Sequence, residues 1–141
     1  MFRSALLLAL LSTTLTAFGK DKDPSGITVV VSGVRQAKGT LHVNLCPEAE
    51  FLTPCKRYEK RRVRAAEPMR FVFDAVVPGD YAVQVIQDAN DNGRFDKDVY
   101  GAPAEPNGVS QNPKVAMRPP TFSEAKFHFD GSPIVVDVHI K

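Results

Sequence analysis

The chain has no tryptophan, only two cysteines and three histidines among its 141 residues. Its 18 basic and 16 acidic side chains nearly balance, so the formal net charge of +2 produces no strong overall field to attract nucleic acid. Beyond the N-terminus, no apolar run approaches the roughly 20 residues of a transmembrane helix. No segment shows a long helical period. These absences argue against nucleic-acid-binding, membrane-spanning and helical proteins.

Sequence patterns of common catalytic sites are also missing. There is no G-x-S-x-G nucleophile elbow and no glycine-rich phosphate loop after a strand. Cys46 and Cys55 have a spacing that fits no common zinc site, and in an oxidising compartment they are expected to form a disulfide. No catalytic residue is predicted, and a function without catalysis is favoured over an enzyme.

Residues 1–19 have the pattern of an export signal. Arg3 precedes an apolar stretch that is too short to span a bilayer, and small residues follow at Ala17 and Gly19. We expect cleavage after Gly19, with Ala17 as the alternative. Residues 20–26 are then a flexible leader, and residues 27–141 form one domain, which is long enough to bury a core.

Alternation of apolar and polar residues predicts strands in six segments separated by Gly, Pro, Asn and Asp. Pro78-Gly79 is typical of a type II turn, and Tyr81 is expected to bond nearby backbone as in a tyrosine corner. The prediction is all-β: a single antiparallel Greek-key sandwich of about seven strands, immunoglobulin-like or transthyretin-like. The six segments are residues 27–32, 41–45, 69–74, 81–85, 125–130 and 136–141, and a seventh strand is expected at residues 61–65.

Residues 88–96 match D-x-N-x-N-G-x-x-D, the order in which a calcium loop wraps its ion. An EF-hand glutamate is missing, because Val99 occupies the twelfth position, so any calcium affinity should be weak. Asn92-Gly93 is also an ordinary hairpin turn, so a metal-free turn explains the same residues. The predicted calcium ligands are Asp88, Asn90, Asn92, the backbone carbonyl of Arg94, Asp96 and, from outside the motif, Glu105.

Residues 56–64 contain six basic side chains in nine positions. Such a run contacts anionic surfaces in some proteins, whereas on an edge strand it is a solvated face that prevents unwanted sheet pairing. The candidate contacts are Lys56, Arg57, Lys60, Arg61, Arg62 and Arg64.

The three histidines, His42, His128 and His139, fall at outward strand positions and are expected to be surface residues. A hairpin turning at residues 130–132 would pair His139 with residues near 122–124. That register would separate His128 from His139 along the strand, so no metal site shared by these two is expected.

Several motifs occur in an order that resembles a bacterial family of secreted proteins, domain-of-unknown-function family 2141, over roughly residues 27–140. The resemblance implies a bacterial protein, exported to the periplasm or outside the cell, with the β-sandwich fold, but no activity. We expect a non-enzymatic envelope protein, either a module that binds another protein or a glycan or a purely structural domain, with a metal-dependent hydrolase at residues 88–96 as the alternative. The motifs are residues 39–45, Glu50-Phe51, residues 78–82, 88–96 and 101–110, and residues 119–127.

Overall fold

The computed structural model describes residues 26–64 and 68–141, so the predicted signal peptide and all of the leader except Gly26 lie outside the described residues. The chain is all-β, and the described residues contain one short 3-10 helix, η1, and one short α-helix, α1. The elements are β1 Gly26–Ser32, β2 Thr40–Cys46, η1 Glu48–Glu50, β3 Arg57–Arg62, β4 Met69–Asp74, β5 Gly79–Asp88, β6 Asn107–Val109, α1 Phe122–Ala125, β7 Phe127–Phe129 and β8 Ile134–His139.

The strands form two sheets. The first sheet has the order β4-β1-β8, and the second has the order β3-β2-β5-β6, with β7 also paired to β5. The expectation of purely antiparallel sheets is wrong at one place, because β1 and β8 run parallel. Alternation of side chains is the same in parallel and antiparallel strands, so the sequence pattern does not encode strand direction.

Buried apolar side chains from both sheets form one core cluster. On β1, β2, β4, β5, β7 and β8 the core residues fall at every second position, as the period of two requires, whereas β3 and β6 contribute none. The fully buried members, at most 1% exposed, are Ile27, Val29, Val31, Leu41, Val43, Leu45, Phe71, Val83, Val85, Val138 and Ile140. Each of the six predicted alternating segments overlaps one strand, namely β1, β2, β4, β5, β7 or β8, so strands at these places are confirmed although several ends differ.

Three further features depart from the sequence prediction. The described residues contain eight strands rather than about seven. Strand β6 lies within residues 103–120, which are rich in proline, and its three residues are too few for a visible alternation. Strand β3 covers Arg57–Arg62, so the strand predicted at residues 61–65 overlaps it at only two residues, and Ala65 lies outside the described residues. The predicted hairpin at residues 130–132 is wrong, because β7 pairs with β5 and β8 pairs with β1. The chain therefore crosses between sheets at that turn.

A disulfide and several side-chain hydrogen bonds hold loops and strand edges in place. Cys46 and Cys55 form the predicted disulfide, with 5.5 Å between their Cα atoms. The hydroxyl of Tyr81 donates to the carbonyl of Val77 at 2.7 Å, as expected for a tyrosine corner. The Asn112 side chain accepts from the His139 amide at 2.7 Å and donates to the Asp137 carbonyl at 3.2 Å, which satisfies part of the free edge of β8.

Within residues 26–64 and 68–141, no helix has the length and apolar character needed to cross a membrane.

Candidate binding groove

A groove, which we call the outer groove, crosses the face of the second sheet that points away from the core. Its floor is made by side chains of β2, β5 and β6 that alternate with core residues. One part is a cavity of about 360 Å³, within the range of small-ligand sites. A second cavity of about 380 Å³ shares three of its lining residues and continues the groove toward β3. The floor residues are His42, Asn44, Gln84, Ile86, Asn107 and Val109.

The disulfide loop, residues 46–55, forms one wall and is held from below by Gln84. The Gln84 carboxamide accepts from the Leu52 amide at 2.8 Å and donates to the Thr53 carbonyl at 2.8 Å. It also contacts the Cys55 sulfur at 3.4 Å. Gln84 is only 8% exposed, so its polar atoms are satisfied by the loop rather than by water. The wall is therefore fixed at both ends by the disulfide and in the middle by one side chain.

Leu52 has an unusual conformation at the rim of this wall. Its φ is +60°, in the left-handed region that a leucine rarely adopts, and its side chain is 49% exposed. Backbone strain of this kind costs about 1–3 kcal/mol and persists where surrounding contacts impose it. Neither backbone preference nor burial accounts for a leucine at this position.

The acidic loop, residues 88–96, forms the opposite wall and is organised by its own side chains. Asp88, only 4% exposed, accepts from the amides of Asn92 at 3.1 Å and Gly93 at 2.8 Å. Asn92 in turn accepts from the amide of Arg94 at 2.9 Å. The loop thus has the ordered turn that the sequence pattern indicated.

Glu105, which follows the acidic loop in the chain, is hydrogen-bonded back to that loop. Its two carboxylate oxygens accept from the backbone amides of Ala89 at 3.0 Å and Asp96 at 3.2 Å, and the side chain is buried. The Ala104 amide also donates to the Asp96 carbonyl at 2.9 Å. Both walls of the groove are therefore anchored by buried polar side chains.

The predicted calcium ligands lie close together in part. The amides of Asn90 and Asn92 both donate to the same oxygen of Asp96, at 2.8 and 2.7 Å. Asp88 and Glu105 direct their oxygens at backbone amides instead. Across the part of the chain that the structure describes, no three His, Cys, Asp or Glu side chains cluster in a way that could hold a metal ion.

The basic run divides between the two sides of β3. Arg57 and Arg61 are exposed and donate to backbone carbonyls of β4 or the turn after it. Arg61 lies 4.8 Å from the Phe71 ring centroid and also lines the second cavity. Arg62 pairs with Asp91 at 3.0 Å and lines the groove together with Lys60. Lys56 contacts Glu50 at 3.6 Å in the disulfide loop, and Arg64 is exposed beyond the end of β3.

The histidines occupy three different environments. His42 lies on the groove floor, with its Nε2 4.0 Å from Asp88. His128 contacts Asp80 at 2.8 Å. This contact, with a second one from Lys126, holds the pKa of the Asp80 carboxyl below its usual value. His139 lies 3.1 Å from the Ser32 hydroxyl at the end of the first sheet.

Sequence reasoning missed the residues that build the groove. Gln84 is unusual in the sequence because it is a polar amide in the middle of an apolar strand. Its partner is the disulfide loop, and no sequence pattern predicts that this loop lies above it. Nothing in the sequence distinguishes Leu52, because its backbone conformation is imposed by tertiary contacts. Phe95, 37% exposed on the opposite wall, lies at a position where the calcium motif accepts any residue, so the motif does not identify it.

Comparison with known proteins agrees with the sequence resemblance. No curated protein and no solved structure gives a significant match. A family model described as "Uncharacterized protein conserved in bacteria (DUF2141)" matches residues 29–137, which is most of the chain and includes both walls of the groove. The chain therefore belongs to this bacterial family of uncharacterised proteins.

Proposed function

We propose that this protein is an exported bacterial envelope protein that acts without catalysis, as a rigid, disulfide-closed β module that binds another envelope protein or a glycan through its loops. The two sheets would face each other as one Greek-key sandwich, immunoglobulin-like or transthyretin-like. The disulfide, the all-β architecture and the membership of a bacterial family support this proposal.

The observation that carries the proposal is the anchoring of both groove walls. Gln84 holds the disulfide loop by two hydrogen bonds of 2.8 Å, and Asp88 holds the acidic loop by its backbone amides. A site that is ordered before its ligand arrives loses less conformational entropy on binding. Loops that only covered the sheet would not need this anchoring, so it favours a role for both walls in binding.

Capture of partners by the immobilised protein tests the binding function. We expect a specific envelope protein or glycan to be retained and identified by mass spectrometry, first with calcium and then with chelator. Retention of nothing beyond what the resin alone retains would contradict the proposal.

Export is proposed from residues 1–19 and is tested by the N-terminus of the mature chain. Mass spectrometry of the protein from the bacterial envelope should show a first residue of Lys20, or of Phe18 if cleavage follows Ala17. Intact protein recovered from the cytosol with Met1 retained, or with reduced cysteines, would contradict export.

Calcium binding by the acidic loop is part of the proposal. Asn90, Asn92 and Asp96 already converge, and a cation there would require the two amides to present oxygen instead of nitrogen. We expect millimolar calcium to stabilise the fold by about 1–2 kcal/mol. Asn90→Asp should strengthen the effect and Asp96→Ala should remove it. Equal thermal stability with calcium and with chelator would contradict calcium binding.

The second candidate is a metal-dependent hydrolase, which would need a cleft and a base beside the metal. One observation favours it: His42 lies on the groove floor next to Asp88. Metal-dependent hydrolysis that His42→Ala abolishes, with folding intact, would support the enzyme. Partner binding that survives the same substitution would support the binding module.

A further inference from the structure

We propose that the outer groove binds an extended polypeptide segment in which a large apolar side chain is flanked by carboxylates. This inference rests on the proposed binding function and assigns its site and the chemistry of its partner.

The apolar part of the groove lies between the two walls. Leu52 and Pro54 line it from the disulfide loop, Phe95 lines it from the acidic loop, and Ile86 and Val109 line it from the floor. Leu52 is half exposed and strained, so its side chain is presented to solvent at a cost to the fold. A partner's apolar side chain inserted here would cover Leu52 and Phe95, which would explain why a strained leucine is exposed at this rim.

Polar groups on the floor match a peptide backbone. Asn44 makes one long bond of 3.4 Å to the Gln84 carbonyl, and Asn107 donates to the Glu105 carbonyl through its amide nitrogen. Within the described residues, the side-chain oxygens of both asparagines have no donor, and both residues line the cavity. Side-chain amides offer a donor and an acceptor together, which is the pair that each peptide group needs.

Charge at the groove favours an acidic partner. Four basic residues, Lys60, Arg61, Arg62 and Arg94, line the two cavities against two acidic ones. Asp91 is paired with Arg62 and accepts from the Thr40 hydroxyl, and the Asp88 carboxylate is turned toward backbone amides of its own loop. Lys60 and Arg94 line the two cavities and make no ion pair with any described residue. An approaching carboxylate therefore meets two basic groups whose charge is not already compensated.

The test begins with random short peptides displayed on phage and selected on the purified, oxidised protein. We expect the selected peptides to share an apolar residue flanked by Asp or Glu, and to bind more weakly as ionic strength rises. Selection of no consensus, or of a consensus with basic flanks, would overturn the proposal. Binding of neutral oligosaccharides with no peptide selected would overturn it as well and leave the wider binding function intact.

The second arm locates the site with a selected peptide and fluorescence anisotropy. Leu52→Asn removes the apolar rim but suits the left-handed backbone, so folding should be preserved, as thermal unfolding would verify. We expect about tenfold weaker binding for Leu52→Asn and for Lys60→Glu. The matched control, Val135→Asn, alters an apolar residue that is 55% exposed on the first sheet and should bind normally. Unchanged affinity for Leu52→Asn would show that the groove is not the site.

Discussion

Replacing Gln84 by methionine tests the anchoring of the disulfide loop. Methionine keeps the unbranched shape of glutamine but removes its donor and its acceptor. The two 2.8 Å bonds to Leu52 and Thr53 are lost. At about 1 kcal/mol for each net hydrogen bond, the expected loss in the free energy of unfolding is about 2 kcal/mol. Both bonds are partly buried, so a loop backbone group left without a new partner adds to this loss.

Urea unfolding of the oxidised protein measures this loss. With a slope of about 2 kcal/mol per molar, the midpoint should fall by about 1 M urea. The matched control is Asn44→Leu, one strand away in the same register, which removes a single long bond of 3.4 Å. That control should cost no more than about 0.5 kcal/mol. Equal midpoints for the two variants would refute the claim that Gln84 holds the loop in place.

Three further predictions concern the scaffold. Replacing Cys46 and Cys55 by serine should cost about 2.5–3 kcal/mol, measured by urea unfolding against the oxidised protein; a loss below about 1 kcal/mol would contradict this. Hydrogen bonding by Arg118 lowers the pKa of Glu124 from 4.5 to about 2, so this carboxylate's stabilising effect is present above about pH 4.5 and is lost as the pH falls toward 2. Thermal unfolding of Glu124→Gln between these pH values should show a weaker pH dependence than wild type, and parallel curves would argue against it. Gly39→Ala should cost about 2 kcal/mol or more in urea, because φ is +69° and the added Cβ would overlap the Asp88 backbone oxygen; a neutral result would contradict that packing.

Much of the fold could be predicted because strands with one buried face alternate visibly. The valines of β1 and the phenylalanines of β4 show this pattern, and the tyrosine corner followed from a turn beside an aromatic residue. Pairing partners are less visible, since alternation is the same for either strand direction. The parallel contact between β1 and β8 and the assignment of β7 to the second sheet therefore required the structure.

The site was predictable only in its local parts. The turn at residues 88–96 and the disulfide could be read from short spacings. The groove could not, because it depends on β2 and β5 pairing Asn44 opposite Gln84 and on a loop that folds back over that pair. The basic run shows the same limit. Its residues are contiguous in sequence, but Arg57 and Arg61 bond the backbone at β4, whereas Lys60 and Arg62, with part of Arg61, line the groove.

The most direct test of the central claim, that the outer groove is the binding surface, is photo-crosslinking in living bacteria. A photoreactive residue replaces Thr53 on one wall, Arg94 on the other, or Val135 on the first sheet as the control. The account predicts the same crosslinked partner from both wall positions and none from Val135. Crosslinks from Val135 with none from either wall would contradict it.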